Sequence, residues 1–180
     1  MNGSNRVYRY LDGDTERHAL IADIRRVRQA VLQIAESTPE ARRFEPRYHG
    51  VSLAGLLAHL YLMDRLAFWT LQWALLGIRP PLPMDFVRVV NDAAERVFQQ
   101  RVIETTIRGI MAQEKRITDF IRHLPMDRFT REVYDPTSEA YLTVERAVQV
   151  FFLFHWQEHL AEMQRAEGIF TEPPERFDTM

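Results

Sequence analysis

The sequence predicts an all-α protein: a four-helix bundle with up-down-down-up connectivity and an extra short crossover helix near residues 85–100. Apolar residues recur at helical spacing along almost the whole chain. Only 7 of the 180 residues are glycine, and alternating runs of β-branched residues, which favour strands, are few. A chain of this length is typical of one domain. We therefore predict a single domain over 1–180, with its core at about 15–167 and a flexible tail at 171–180.

The first long helix is predicted from Asp14 to Ser37. The Thr38-Pro39 step ends it, because the residue before a proline is disfavoured in the helical region. Its apolar stripe consists of Leu20, Ile21, Ile24, Val27, Val31 and Leu32. Three arginines are predicted to lie off that stripe: Arg25, Arg26 and Arg28.

The second long helix is predicted from Ser52, a favourable N-cap residue, to Gly77, followed by a stop at 79–81. The middle of this segment is apolar enough that a membrane-spanning helix must be considered. Asp64 and Arg65 lie in the middle of it, and charges at that depth of a bilayer are costly. The segment is therefore predicted to be a buried bundle helix.

A shorter amphipathic helix is predicted at about 85–100, between the second and third long helices. At 1.5 Å per residue it would span about 24 Å, enough to carry the chain back along the bundle. The third long helix is predicted from Glu104 to Leu124, where Pro125 ends it.

The connection at 125–142 is the longest irregular segment predicted, with a turn at Asp135-Pro136. The fourth long helix follows from Thr143 to Glu167, and Gly168 closes it. Four long helices joined in this way are typical of a bundle.

The composition restricts the chemistry that the chain can perform. Its net charge of −2 and 46% hydrophobic residues do not suit a disordered chain or a nucleic-acid-binding protein. The absence of cysteine excludes disulfides, iron–sulfur clusters and a cysteine nucleophile. No signal-peptide pattern and no glycine-rich phosphate loop occurs. We expect a cytoplasmic protein without nucleic acid or membrane partners.

Two histidines on the fourth helix, His155 and His159, lie four residues apart. This spacing places their imidazoles about 40° apart and about 6 Å along the axis, so both can bind one metal ion. They continue the inward apolar stripe of that helix, and Glu162 lies on the same face. The alternatives are surface histidines or core histidines satisfied by the backbone. Three polar side chains in an apolar stripe are costly unless they are paired or bind a metal.

His59 on the second helix shares an inward face with Leu56, Met63 and Leu66. A lone histidine in such a place is more often a satisfied core residue. Together with His155 and His159, however, it completes a set of three imidazoles, which suits Zn, Ni, Fe or Co and leaves a coordination position open.

The positions of these histidines along their helices predict the topology. His59 lies about 10 Å from the start of the second helix, and His159 lies about 12 Å from the end of the fourth. These levels match only if the two helices run antiparallel. An antiparallel arrangement requires a crossover, for which the helix at 85–100 is the candidate.

Two segments resemble motifs of the DinB-like (DinB/YfiT-type) four-helix bundles. The run Ser52-Leu-Ala-Gly-Leu-Leu-Ala-His59 is similar to the start of that family's second helix, where a serine cap precedes an inward histidine. The run His155-x-x-x-His159-Leu-Ala-Glu162 is similar to its fourth-helix motif, in which Gln usually stands where this chain has Glu162. The resemblance covers about 15–167.

The resemblance implies one divalent metal ion, most often zinc or nickel, on His59, His155 and His159. It also implies activity as a transferase or isomerase that uses a low-molecular-weight thiol, or as a hydrolase. Glu162 could then act as a base or as a fourth ligand. Asn91 is placed near the site by the resemblance alone.

Two classes of function follow from these observations. The first is a metal-dependent enzyme that acts on a small-molecule substrate with metal-bound water or thiolate as nucleophile. Because the chain has no cysteine, the thiol would be a soluble cofactor. The alternative is a non-catalytic, stress-associated bundle that binds a metal or a ligand.

The remaining candidates receive simpler interpretations. Three histidines have no partner at a suitable spacing and are predicted to be exposed: His18, His49 and His123. Glu114 is predicted to lie at the boundary between the buried and exposed faces of its helix. The second helix is apolar on more of its circumference than one core face requires, which favours a homodimer. The residues that suggest a dimer are Leu60, Trp69 and Trp73, which are spread around the helix. Phe68, Trp69 and Trp73 could also form one wall of a ligand site, although a role in the core or in a subunit contact is favoured.

Overall fold

The computed structural model describes residues 6–98 and 103–169, except for the side chains of Asn91 and 93–98. Its helices are α1 (Asp14–Ser37), α2 (Leu53–Leu75), α3 (Met84–Phe98), α4 (Ile103–His123), α5 (Val144–Gln149) and α6 (His155–Ala166). Its strands are β1 (Glu132–Asp135) and β2 (Ala140–Thr143). A π-helical segment, Val150–Phe154, joins α5 to α6, and the three together form the fourth long helix. The predicted four-helix bundle is confirmed.

α1 runs antiparallel to α4. Near the start of α1, Arg17 donates hydrogen bonds to the carbonyl oxygens of Arg122 and Leu124 at the end of α4, over 3.2 and 2.8 Å. Two turns further along α1, Arg25 lies 3.6 Å from Glu114. Residue numbers therefore rise along one helix as they fall along the other.

α2 runs parallel to α4. The ring of Tyr61 lies against Gly109, where an added Cβ would come within 2.9 Å of the ring. Two turns later on α2 and three turns later on α4, Phe68 packs edge-on against Phe120 with 5.5 Å between the ring centroids. Parallel neighbours must be joined by a connection that returns along the bundle.

α2 runs antiparallel to α6. Tyr48, just before α2, donates a hydrogen bond to Glu167, just after α6. Asp64, in the middle of α2, accepts one from Trp156 in the first turn of α6. Combined with the other two directions, this gives the predicted up-down-down-up connectivity.

α3 is the crossover between the parallel helices α2 and α4, and it packs against α2. It begins at Met84, one residue before the predicted start. The predicted end of this helix at 100 and the predicted tail at 171–180 lie outside the described residues, and so does the environment of the Asn91 side chain.

Capping residues fix two of the predicted helix starts. Ser52 has extended backbone angles, and its side chain accepts a hydrogen bond from the Gly55 amide at the start of α2. Thr143 caps α5 in the same way by accepting from the Arg146 amide. Gly77 follows α2 with a φ of +80°, a left-handed conformation that glycine adopts without a Cβ penalty.

The connection predicted to be irregular at 125–142 contains the β1–β2 hairpin. Its strands pair antiparallel from Glu132–Thr143 to Asp135–Ala140. The predicted turn at Asp135-Pro136 is the hairpin turn, since the Asp135 carboxylate accepts hydrogen bonds from the Thr137 amide and the Ser138 hydroxyl. Four-residue strands are too short for alternation to distinguish them from a loop.

The periodicity of the fourth helix predicted one continuous α-helix, but the structure interrupts it. The π-helical segment Val150–Phe154 widens one turn immediately before His155. A wide turn rotates the side chains after it relative to those before it. A helical wheel with 3.6 residues per turn cannot detect such a segment.

Arg28 was predicted to lie off the apolar stripe of α1, and that prediction is wrong. Its side chain is completely buried, with 0% exposure, and it pairs with Asp64 of α2. Arg28 lies four residues after Ile24 and three before Val31, so it is their neighbour on the inward face. A charged residue was assigned to the surface on its chemical type alone.

Asp64 is likewise buried, with 1% exposure, inside the most apolar helix. Its charge was evidence against a membrane span, but its burial and its pairing with Arg28 were not predicted. None of the helices within 6–98 and 103–169 combines the length and the apolar character needed to cross a membrane.

Candidate metal centre

The three predicted ligands come together inside the bundle. His59 of α2 meets His155 and His159 of α6, and one nitrogen of each lies within 4.8 Å of the others. The Nε2 atoms of His59 and His155 are 3.1 Å apart. Zinc–nitrogen bonds of about 2.0–2.1 Å in a tetrahedral site place ligand nitrogens about 3.3 Å apart. The spacing of His59 and His155 is therefore that of two ligands on one ion, and a nitrogen of His159 lies within 4.8 Å of both.

Glu162 contacts the cluster through His159. Its Oε2 lies 2.9 Å from Nδ1 of His159, one turn earlier on α6. When a carboxylate accepts a hydrogen bond from Nδ1–H, the lone pair of the imidazole is on Nε2, the tautomer that metal sites commonly use. The arrangement fixes both the tautomer and the ring orientation of His159.

His155 is held in its neutral form. Burial, together with the nearby His159, His59, Arg28 and Arg6, lowers the pKa of His155 well below its ordinary value of 6.5. A neutral imidazole keeps the lone pair that binds a metal ion. His155 can therefore act as a ligand at neutral pH without first losing a proton.

A buried ion pair contacts Trp156, the residue that follows His155. Arg28 donates two hydrogen bonds to Asp64, over 2.5 and 3.1 Å, and its guanidinium lies 4.1 Å from the ring centroid of Trp156. The indole of Trp156 donates to the same carboxylate over 3.0 Å. Burial raises the pKa of Asp64, while Arg28 and Trp156 oppose that rise. The network ties α1 and α2 to the residue that follows His155.

His49 is exposed, as predicted, but it has a neighbour that the sequence analysis missed. It has a φ of +51° in the turn before α2, and its Nε2 lies 3.6 Å from Oε1 of Glu162. The turn is anchored by Tyr48 and Arg47, which donate to Glu167 over 2.7 and 2.6 Å. Burial, together with the hydrogen bond from Tyr48 to Glu167, raises the pKa of Tyr48 to about 12. The run Tyr48-His49-Gly50 before the Ser52 cap was the available signal.

Two cavities flank the cluster. The first, which we call the apolar cavity, has a volume of about 220 Å³ and lies between α2, α3 and the hairpin turn. His59 and His155 line one end of it, which we call the inner end. The second, the carboxylate cavity, has a volume of about 380 Å³ and contains His59, His159, Glu162 and His49 in its lining. His59 lines both cavities, so the cluster lies in the wall between them.

The other candidates lie away from the cluster. His18 and His123 are exposed, and Glu114 is half-buried at the boundary where it meets Arg25, as predicted. Leu60 is completely buried in the core, so it contributes nothing to an exposed apolar face. Trp69 and Trp73 remain 54% and 39% exposed, and neither is among the described residues that line the two cavities.

Fold and site together define a class: an up-down-down-up four-helix bundle in which three histidines could hold one metal ion. The fold is similar to that of YfiT from Bacillus subtilis, with a TM-score of 0.70 over 93% of this chain and 94% of that one, at 16% identity. YfiT is described as a probable metal-dependent hydrolase with an unusual four-helix bundle topology. At this identity the similarity concerns the fold, and it confirms the bundle that the DinB/YfiT-type resemblance implied. No protein-family model and no curated protein matches the sequence.

Proposed function

We propose that this protein is a metal-dependent enzyme that acts on a small molecule, as a hydrolase or as a transferase of a small thiol. The observation that carries the proposal is the convergence of three imidazole nitrogens within 4.8 Å at the wall between two cavities. The description of the similarly folded YfiT as a probable metal-dependent hydrolase supports it.

The residues present fit a divalent transition metal. His59, His155 and His159 form a donor set of imidazoles, which suits zinc or nickel better than calcium or magnesium. The lowered pKa of His155 keeps one donor neutral, and Glu162 orients another. Three protein ligands leave at least one coordination position open, which is typical of catalytic rather than structural sites.

When bound, such an ion would supply a Lewis acid that brings the pKa of a coordinated water to about 7 and deprotonates a coordinated thiol. The chain itself contributes the groups that move the proton. We assign Glu162 two roles: it holds His159 through Oε2, and its carboxylate lines the cavity in which a proton must be accepted. His49, 3.6 Å from Oε1, is placed to pass that proton to solvent.

The carboxylate cavity gives the nucleophile its place. Its volume of about 380 Å³ exceeds what a water molecule needs, so it can admit a small thiol. Since the chain has no cysteine, any thiol must come from solution. Hydrolysis and thiol transfer thus differ in what enters this cavity, while the residues that line it stay the same.

Metal content tests the first half of the proposal. The full chain is purified without an affinity tag, loaded with zinc or nickel, dialysed and analysed for metal. We expect about one ion per chain in the wild type and loss of it in His155→Ala. His123→Ala, which removes an exposed histidine on α4, is the matched control and should retain the ion. A wild-type protein that binds no ion contradicts the proposal.

Turnover tests the second half. Metal-loaded protein is incubated with small esters and amides, and separately with small electrophiles plus several low-molecular-weight thiols. We expect turnover in one of the two panels and its loss in His59→Ala. Stoichiometric metal without turnover in either panel would instead favour the non-catalytic, ligand-binding alternative.

A further inference from the structure

The two cavities beside the cluster differ in chemical character. The carboxylate cavity carries Glu162 and His49, which can exchange protons with a ligand. The apolar cavity is walled chiefly by hydrocarbon: Met63, Leu66 and Ala67 of α2, Val87 of α3 and Phe151 of the π-helical segment. No arginine or lysine occurs among its described lining residues. An anion that enters it must lose its water without gaining a countercharge, and the carboxylate among its described lining residues is that of Asp135.

Two of the polar side chains that line the apolar cavity form hydrogen bonds within the protein. The hydroxyl of Thr70 donates to the carbonyl oxygen of Ala67 over 2.8 Å. The two carboxylate oxygens of Asp135 accept from the Thr137 amide and the Ser138 hydroxyl, over 3.1 and 2.7 Å. The proposed function places the metal ion at the inner end of the cavity, where His59 and His155 lie, and so directs the polar end of a substrate there.

The size of the cavity sets the size of the group that fits. An apolar cavity of about 150 Å³ is known to hold benzene. The apolar cavity here has a volume of about 220 Å³, which leaves room for two or three further carbon atoms beside a ring.

We infer that the apolar cavity binds the uncharged, mainly hydrocarbon part of the substrate, a group about the size of a phenyl ring with a two- or three-carbon chain. The reacting bond then lies at the inner end, against His59 and His155, with Glu162 on the far side of the cluster. The assignment of this group to a reacting substrate rests on the proposed function. The binding of the hydrocarbon group does not rest on the proposed function, because the cavity is formed by protein side chains and needs no metal ion.

Three probes of nearly equal shape test the inference: 2-phenylethanol, phenylacetate and 2-phenylethylamine. Binding to the full metal-free chain is measured by titration calorimetry, with ligand-observed magnetic resonance as a second readout. We expect the alcohol to bind with a dissociation constant of about 1 mM or below. We expect the anion and the cation to bind at least about tenfold more weakly. The described lining offers the anion no cationic side chain, and the Asp135 carboxylate, which faces the cation, already accepts two hydrogen bonds.

Filling the cavity supplies the matched comparison. Ala67→Leu places three extra carbons in the cavity and should weaken binding of 2-phenylethanol by at least about tenfold. Ala112→Leu makes the same change on the exposed face of α4 and should leave binding unchanged. If Ala67→Leu does not fold, as judged by circular dichroism, Val87→Phe fills the same cavity from α3.

Three results would overturn the inference: no binding of the alcohol, equal or tighter binding of either charged probe, or unchanged binding in the filled variants. Tighter binding of the amine would instead identify Asp135 as a site for cations. Since these measurements use metal-free protein, they separate this inference from the proposed function. If the chain binds the alcohol but no metal ion, the inference about the apolar cavity is supported and the proposed function is contradicted.

Discussion

The indole nitrogen of Trp156 lies 3.0 Å from Oδ1 of Asp64, and this hydrogen bond joins the metal-binding helix to a buried ion pair. Asp64 is also bound by Arg28, and all three side chains are at most 1% exposed. The residue before Trp156 is His155. The histidine cluster is therefore connected, through Trp156, to a charged network in the core that helps to position it.

Breaking this ion pair should strongly destabilise the protein. Asp64→Ala leaves the Arg28 guanidinium buried without its carboxylate, and we expect the free energy of unfolding in urea to fall by about 3–5 kcal/mol. Arg28→Ala should cost a similar amount, and the double variant less than the sum of the two. Arg26 is the control: its side chain is 76% exposed and pairs with the half-buried Asp23, and Arg26→Ala should change stability by less than about 1 kcal/mol. Equal small effects at both sites would contradict the assigned role.

The stability of the metal-free protein should depend on pH through His155. Its pKa in the folded state is lowered by burial and by nearby imidazoles and arginines, whereas in the unfolded chain it is about 6.5. Between these two pKa values the unfolded state binds more protons, so the contribution of His155 is fully present above about pH 6.5 and is lost as the pH falls. Urea midpoints from pH 8 to 5 should fall less steeply in His155→Gln than in the wild type. Identical slopes would show that His155 is not the group that titrates.

Removing the Glu162 carboxylate should weaken metal binding without unfolding the bundle. We expect Glu162→Ala to lower metal affinity by about 10–100-fold, as is typical when the hydrogen-bond partner of a ligand is lost. Glu162→Gln retains an acceptor for Nδ1 of His159, so its loss should be smaller. Affinity is measured by competition with a chelator. Glu158→Gln, an exposed change on the same helix, should have no effect, and an equal loss there would exclude a specific role for Glu162.

We propose that an exposed apolar surface at the end of α2 and the start of α3 joins two copies of the chain. Its members are Trp69, Trp73, Leu76, Ile78 and Phe86, which are between 39% and 75% exposed. Sedimentation at tens of micromolar should give about twice the chain mass of 21.3 kDa, and Leu76→Asp should shift it to the monomer. A wild type that sediments only as a 21.3 kDa monomer would refute the proposed dimer.

Helical periodicity and capping residues were sufficient to predict the bundle from the sequence. The ends of α1 and the Ser52 cap of α2 depend on local interactions, which are visible in a few consecutive residues. The site required one further step, because matching the levels of His59 and His159 along their helices implied the antiparallel pairing that the structure has.

Features that depend on distant residues could not be predicted in this way. The pairing of Arg28 with Asp64 requires knowledge of which faces of α1 and α2 meet. The approach of His49 to Glu162 depends on a turn with positive φ at His49. The π-helical segment before His155 changes the helical period itself, so an analysis that assumes a constant period cannot reveal it.

The separation of His59 and His155 along the chain has a consequence for the unfolded state. The two residues are 96 positions apart, although their Nε2 atoms nearly touch in the folded protein. An ion held by both would act as a cross-link that closes a long loop, and the entropy lost by closing a loop increases with its length. Disulfides provide such cross-links in other proteins, but this chain has no cysteine. The histidine cluster is therefore the place where a reversible cross-link, controlled by metal supply, could tie the two halves of the chain together.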